Sequence, residues 1–200
     1  MQPSDEELLK AMQRGKEDAF VSLYRRWQPA MYHFGLQMTG SPQAAEDVVQ
    51  EVFLALIRKS GSYCSSRGSF SSWLYGIARH FIAHMPDRKA AVASIGDVAD
   101  ETERLCASNC DPHAELVHRQ QTDRLKSALL ALPSHYREAI VLSVWHEMGY
   151  AESAAIIGCS IGTIRSRLNR ARLILAERLR SDKTEKVQAL EKITSDGCVL

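Results

Sequence analysis

Residues 150–179 read YAESAAIIGCSIGTIRSRLNRARLILAERL, and their pattern decides the fold of the C-terminal part of the chain. A short apolar segment ends at Ile157. A tight turn follows at Gly158-Cys159-Ser160, and then a longer segment with helical spacing. Gly158 suits a left-handed helix cap, and Ser160 stands where a side-chain oxygen can cap a helix beginning at Ile161. At about 100° per residue, Ile161, Ile164, Leu168, Ala171 and Leu175 gather on one side and are expected to pack inward. The opposite side carries Gly162, Thr163, Ser166, Asn169 and Arg170, with Arg165 and Arg167 on its shoulders; Leu173 also falls there. This spacing predicts a helix-turn-helix. A solvated arginine-rich helix would share the composition. The mixture of bidentate donors, an amide, small residues and flanking charge is what a DNA major groove requires, and it favours the groove.

Working outward, apolar spacing is helical almost throughout, and no segment alternates with period two between hairpin turns. The chain is therefore expected to be all-α. Ser4 and Glu7 form a capping-box pattern ahead of Leu8, Leu9 and Met12, with Gly15 as a stop. A second helical run holds Phe20, Leu23, Tyr24 and Trp27 and continues through Met31, Tyr32, Phe34 and Leu36 to Gly40; Pro29 is expected to kink or divide it. Ser41-Pro42 opens a helix with Ala45, Val48, Val49, Val52, Phe53 and Leu56 on one face and Glu46, Asp47, Gln50 and Glu51 on the other. Residues 60–69 read as a loop, and Phe70, Trp73, Leu74, Ile77 and Phe81 form a further stripe ended by Pro86. Beyond a weakly periodic stretch, a second helical set breaks at Leu132-Pro133, resumes around Tyr136 to Trp145, and turns at Gly149 into the segment quoted above. The reading is two small helical domains, residues 1–92 and 113–180, joined by a flexible acidic linker at 93–112. A tail at 181–200 has only a weak stripe of Val187, Leu190 and Ile193.

The 200 residues are 45% hydrophobic and 24% charged, which excludes wholesale disorder. A net charge of +1 conceals segregation. Between Ser160 and Arg180 six arginines (165, 167, 170, 172, 178, 180) face Glu177 alone, the footprint of a polyphosphate partner, whereas between Asp97 and Asp123 seven acids face Arg104 and Arg119. Five scattered cysteines fit reduced intracellular thiols better than a disulfide framework. The opening MQPSDEELLKAMQRG is too polar for a secretory signal, and no apolar run approaches the roughly 18 residues of a membrane span, so a cytoplasmic location is expected. No phosphate loop or zinc-protease motif stands out. Neither an enzyme, a cofactor nor a metal centre is expected. Cys106 and Cys110, with His113 and His118 nearby, tempt a metal or redox reading. Their spacing is wider than a Cys-x-x-Cys pair and the neighbouring acids disfavour thiolate, so no sensing role is assigned.

Two separated blocks carry a resemblance. GTIRSRLNRAR, following Leu132, Pro133 and Arg137, resembles the C-terminal module of the extracytoplasmic-function sigma factors of the sigma-70 family. AAEDVVQEVFLALIRK (44–59) and GSFSSWLYGIARHFI (68–82) resemble the region-two core of the same family. The resemblance implies a promoter-specificity subunit of bacterial RNA polymerase, with core polymerase and promoter DNA as partners. It also implies control by an anti-sigma factor, often membrane-anchored, with no insertion of this chain into the membrane. By the same resemblance Asp47, Gln50 and Glu51 would dock on polymerase, although a solvated acidic face has the same composition. The −35 element would be read by Ser160, Gly162, Thr163, Arg165, Ser166, Arg167, Asn169 and Arg170. The candidates for the melted −10 element are Tyr63, Ser65, Ser66, Arg67, Trp73, Tyr75, Arg79, His80 and Arg88, with Trp73 on the apolar stripe and so expected in the core. Where the family has consecutive arginines, this chain reads His80, then His84-Met85-Pro86-Asp87-Arg88-Lys89. A linker of about 20 residues spans at most roughly 65–70 Å, enough for two modules on separated promoter elements. Two other readings share these features: a repressor that binds palindromes as a dimer, and a sigma-like decoy that binds an anti-sigma protein and never DNA. Retention of Arg165, Ser166 and Arg170 argues against the decoy.

Overall fold

The computed structural model describes residues 3–85 and 112–196, with side chains for 3–85 and 119–180. The first module holds α1 (Asp5–Gln13), α2 (Glu17–Thr39), α3 (Pro42–Lys59) and α4 (Phe70–His84). The second holds α5 (Pro112–Leu130), α6 (Ser134–Ile140), α7 (Tyr150–Ile157) and α8 (Ile161–Asp196). No strand occurs among the described residues. The expected linker, up to residue 111, lies outside them, as do Arg88, Cys106 and Cys110.

Local chemistry sets the helix ends. Ser4 and Glu7 close the capping box in both directions, the Glu7 amide donating to Ser4 Oγ at 3.2 Å and the Ser4 amide to Glu7 Oε2 at 2.8 Å. Those bonds hold the Glu7 carboxyl below its usual range. Gly40 ends α2 in the left-handed region at φ 73°, and a Cβ there would stand 2.6 Å from a Leu130 methyl, so both backbone and packing require glycine. Ser41 caps α3 through the Ala44 amide at 3.3 Å, with Pro42 in the first turn.

Pro29 does not divide α2, which runs unbroken through it. The proline is exposed, while Leu23, Met31 and Phe34 on either side of it are fully buried. A mid-helix proline costs about 3 kcal/mol, and each of these side chains contributes about 1.5–3 kcal/mol of burial, so packing against α3 holds the helix together. That packing is close: a Cβ on Gly35 would lie 2.9 Å from Ala45 Cα. Val48, Val52, Leu56, Leu74 and Ala78 complete the core of the module. Residues 60–69 form two 3₁₀ turns, Ser60–Ser62 and Ser65–Arg67, leading to the Ser69 cap of α4.

In the second module α6 widens at its C-terminal end into a π turn, Val141–Trp145, where the His146 amide reaches Val141 O at 3.1 Å. Glu147 then takes φ 51°, and the chain swings into α7. Gly158 caps α7 at φ 78°, and Ser160 Oγ accepts from the Thr163 amide at 3.1 Å, as the sequence predicts. Ile164, Leu168, Ala171 and Leu175 are buried. Ile161 is not: it is 43% exposed because α8 begins at the solvent edge of the module. The backbone of α8 is helical to Asp196.

The modules pack on each other, α2 against α5, α6 and the π turn, and α4 against α7. Arg137, from the Leu-Pro-x-x-x-Arg segment, fastens them. Its guanidinium donates to the carbonyls of Met38 (2.5 Å), Leu132 (3.0 Å) and Leu130.

Candidate nucleic-acid interface

On α8 the amphipathic pattern translates directly into exposure. Ser160, Gly162, Arg165, Ser166, Asn169 and Arg170 are exposed, and Thr163 and Arg167 half-exposed. Among the described residues Arg165, Arg167 and Arg170 make no ion pair, so their donors face solvent in a row suited to phosphates and base edges. Ser160 is already engaged by the cap and by Thr163 Oγ1 at 2.9 Å. Leu173, 61% exposed, interrupts the polar face as its position predicts. One neighbour escapes sequence reasoning: Tyr150 places its ring under Arg165, with the guanidinium carbon 5.9 Å from the centroid. A helix-turn-helix brings the starts of its two helices together, which is the only signal that could have found it.

The residues expected at the −10 element are dispersed. Ser65, Ser66 and Arg67 are exposed on the second 3₁₀ turn. Beside them the exposed Cys64 thiol is shifted below its usual range by hydrogen bonding from Ser66 and by the Arg67 charge. Tyr63 is half-buried against Phe70 and Trp73 and donates its hydroxyl to Glu6 at 3.0 Å; burial, then that carboxylate, raise the phenol. Trp73 is half-buried on the same aromatic cluster and borders the cleft beside it. Tyr75 departs from expectation. It is 3% exposed, wedged edge-on against Phe34 at 5.2 Å and Trp27 at 6.4 Å, so it is a core residue and not a platform for a base. Its hydroxyl meets His146 Nδ1 at 2.7 Å, and His146 Nε2 meets Gln37 Oε1 at 3.1 Å, linking the modules through a half-buried polar chain. Burial and the nearby His33 push His146 down to about 4, while burial drives the Tyr75 phenol far up. Arg79 donates from Nε to Glu138 Oε1 at 3.1 Å, so its charge is taken by the second module. His80 is exposed and its ring lies tilted against that of His84, centroids 4.2 Å apart.

Sequence reasoning missed Ser69, Ser71 and Ser72 at the start of α4. Their hydroxyls donate to one carboxylate oxygen, Oε1 of Glu152 on α7, at 2.6, 2.9 and 2.7 Å. Burial raises the Glu152 carboxyl, but the three serine bonds outweigh it and leave the group below its ordinary range. Local spacing carries no sign of this cluster, because Glu152 lies 80 to 83 residues away from the serines.

On α3, Asp47 and Gln50 are exposed and Glu51 half-exposed. They stand near an apolar groove of about 340 Å³ between α2 and α3, lined by Phe20, Tyr24, Val49, Phe53 and Ile57. Ile57 is 55% exposed in it.

With this geometry in hand, comparison with known proteins is direct. Residues 23–90 match the family model for sigma-70 region 2, and residues 122–175 match that for sigma-70 region 4. The chain is 30% identical over 177 residues to the ECF RNA polymerase sigma factor SigC of Mycobacterium tuberculosis, covering 84% of this chain and 90% of SigC. It is 27% identical over 178 residues to SigW of Bacillus subtilis, covering 86% of this chain and 95% of SigW. Among solved structures it resembles the sigma factor RpoE in complex with the anti-sigma factor NepR from Bartonella quintana (29% identity, TM-score 0.59, 82% of this chain and 98% of that one). It shares the fold of CnrH in complex with the cytosolic domain of CnrY (24% identity, TM-score 0.66, 90% and 99%). The chain belongs to the sigma-70 family, within the extracytoplasmic-function (ECF) sigma factors.

Proposed function

We propose that this sigma factor recruits core RNA polymerase through the α3 face bearing Asp47, Gln50 and Glu51, and reads promoter DNA with two modules. The α8 face, centred on Arg165, Ser166, Asn169 and Arg170, takes the −35 element as duplex. The Ser65–Arg67 turn with Trp73, Arg79 and His80 takes the −10 element as melted strand. The functional modules are residues 1–92 and 113–180. The chain carries out no chemistry of its own and works in the cytoplasm; no helix among the described residues is long and apolar enough to cross a membrane. The observation that carries this reading is the solvent-facing arginine row of α8, free of ion pairs among the described residues, on a chain that also has a region-2 module. An anti-sigma protein is the expected regulator, since the RpoE relative was solved with one.

Run-off transcription with core polymerase, with and without the protein, tests the reading. Addition should produce promoter-specific transcripts, and Asp47→Lys with Glu51→Lys should abolish association with core while thermal melting stays within about 0.5 kcal/mol, the usual limit for exposed substitutions. Undiminished association would remove the α3 face from the docking role. Binding to a duplex palindrome without polymerase would favour the repressor reading instead.

A further inference from the structure

On the α8 face one arginine is held and two are not. The Arg165 guanidinium lies over the Tyr150 ring, its carbon 5.9 Å from the centroid, whereas among the described residues neither Arg167 nor Arg170 has a ring beneath it. Tyr150 is itself well anchored. It is the first residue of α7, which packs on α8. One turn further on, Ser153 is fully buried with its hydroxyl 3.0 Å from that of Ser143, which pins the start of α7 to the π turn. The Tyr150 ring is 40% exposed, so it borders the solvent face that Arg165 occupies and is not part of the core. Among the described residues Arg165 makes no hydrogen bond or ion pair, so the donors of its guanidinium are free for DNA. A ring face attracts a guanidinium through its π electrons and uses none of those donors. A long exposed side chain loses rotamer freedom when it binds, and a contact that already orients it lowers that cost.

We propose that Tyr150 is a positioning residue for base readout: its ring holds Arg165 aimed into the major groove, where Arg165 reads a guanine through the O6 and N7 acceptors. The inference rests on the reading of α8 as the duplex-binding face. Arg165 is the fifth residue of α8, and the N-terminal part of a recognition helix is the part that meets base edges. An arginine without such support swings to a phosphate as readily as to a base. The held arginine therefore carries sequence discrimination, and the Tyr150 hydroxyl has no share in it because the contact is made by the ring.

The test uses the full chain and a pool of DNA duplexes randomised over one helical turn, from which bound molecules are recovered and sequenced. Arg165→Ala identifies the base pair that Arg165 reads, as the position where the preference for guanine disappears. Tyr150→Leu should lower the guanine preference at that same base pair about two- to fivefold, and leave the other positions and the salt dependence as in the native chain. Tyr150→Phe keeps the ring and deletes the hydroxyl, and it should retain the native profile. In an Arg165→Ala chain, Tyr150→Leu should change nothing further. Circular dichroism melts follow the fold of each variant, and base preference is a ratio between sequences, which a smaller folded fraction does not alter. A Tyr150→Leu chain that keeps its preference at that base pair, or weakens on all sequences alike, overturns the inference. So does a Tyr150→Phe chain that behaves as the leucine variant, since the hydroxyl would then be the working group. The two levels fail separately: if Arg165→Ala flattens no position, the α8 reading falls and the inference with it, whereas a profile flattened by Arg165→Ala and untouched by Tyr150→Leu removes the inference alone.

Discussion

The two faces assigned to DNA are built in opposite ways. On α8 the residues proposed to read DNA are exposed or half-exposed, and among the described residues none of Arg165, Arg167 and Arg170 has an ion-pair partner. On α4 several of the corresponding groups are taken by protein, Arg79 by Glu138, the serines at its start by Glu152 and Tyr75 by the core and His146, while Ser65, Ser66, Arg67 and His80 stay exposed. The difference is one of where the information lies. A solvent-facing helix surface follows from spacing on its own helix, whereas a surface that meets another module is determined by residues 59 to 83 positions away.

The largest effect that would sharpen this contrast comes from the open face. Arg165→Ala or Arg170→Ala should each cost about 1–3 kcal/mol on the cognate −35 duplex, since a lost base contact is not recovered elsewhere. Thermal stability should not move, because both side chains are exposed. Arg172→Ala, if it removes only a phosphate contact, should weaken all duplexes alike and reduce the salt slope by about one. Electrophoretic shifts on cognate and scrambled duplexes across a salt series distinguish the two behaviours. Normal binding by both the Arg165 and Arg170 variants would mean that α8 reads DNA with another face.

Much of the fold was legible for the same reason that the α8 face was. The capping box at Ser4–Glu7, the Ser41-Pro42 start, the Gly158 turn and the Ser160 cap are all set by groups within four residues of one another, and each stands where spacing puts it. The stripe of Ile164, Leu168, Ala171 and Leu175 was equally plain. What spacing misread was governed by tertiary packing. Pro29 breaks isolated helices, yet burial of Leu23, Met31 and Phe34 on both sides of it keeps α2 undivided. Tyr75 sits one position from the polar side of α4 and has a hydroxyl, so its sequence position cannot tell a base platform from a core ring. Its contact with His146 comes from 71 residues away. Arg137 entered the reading only as part of a motif, and its work as a clasp on three carbonyls had no local sign.

A middle-sized effect tests the closed face through pH. His146 is held neutral down to about 4 in the folded chain by burial and by His33, against about 6.5 for an unfolded histidine. The unfolded chain therefore takes up a proton that the folded one refuses as pH falls from 6.5 to 4, and stability drops over that window and no further below it. For a half-exposed ring the loss should be about 2 kcal/mol after screening is allowed for. Urea unfolding at pH 7.5 and 4.5 measures it, and His146→Gln, which can still bond to Tyr75, should remove the difference between the two pH values that the native chain shows in excess. Equal acid sensitivity of native and variant chains would place the burden on carboxylates instead.

The smallest effect decides the residue on which sequence and structure disagree most. Tyr75→Phe keeps the ring against Phe34 and Trp27 and deletes one hydroxyl. With His146 Nδ1 left without that partner in a half-buried place, the cost should be about 1 kcal/mol of stability, the net value of one such bond. A base-stacking or base-bonding tyrosine would behave differently: truncating it would remove binding to single-stranded −10 DNA, with about 1–3 kcal/mol at stake for a lost stacking platform. Because the ring is 3% exposed and its hydroxyl is directed at the other module, affinity for single-stranded DNA should not fall in Tyr75→Phe, and Tyr75→Leu should lose stability steeply while still binding whatever fraction of the chain remains folded. Fluorescence titration with a labelled single-stranded DNA 12-mer, normalised to the folded fraction from circular dichroism, makes the comparison. A drop in affinity without a drop in stability would return Tyr75 to the DNA and require α4 to turn its buried face outward when the two modules part.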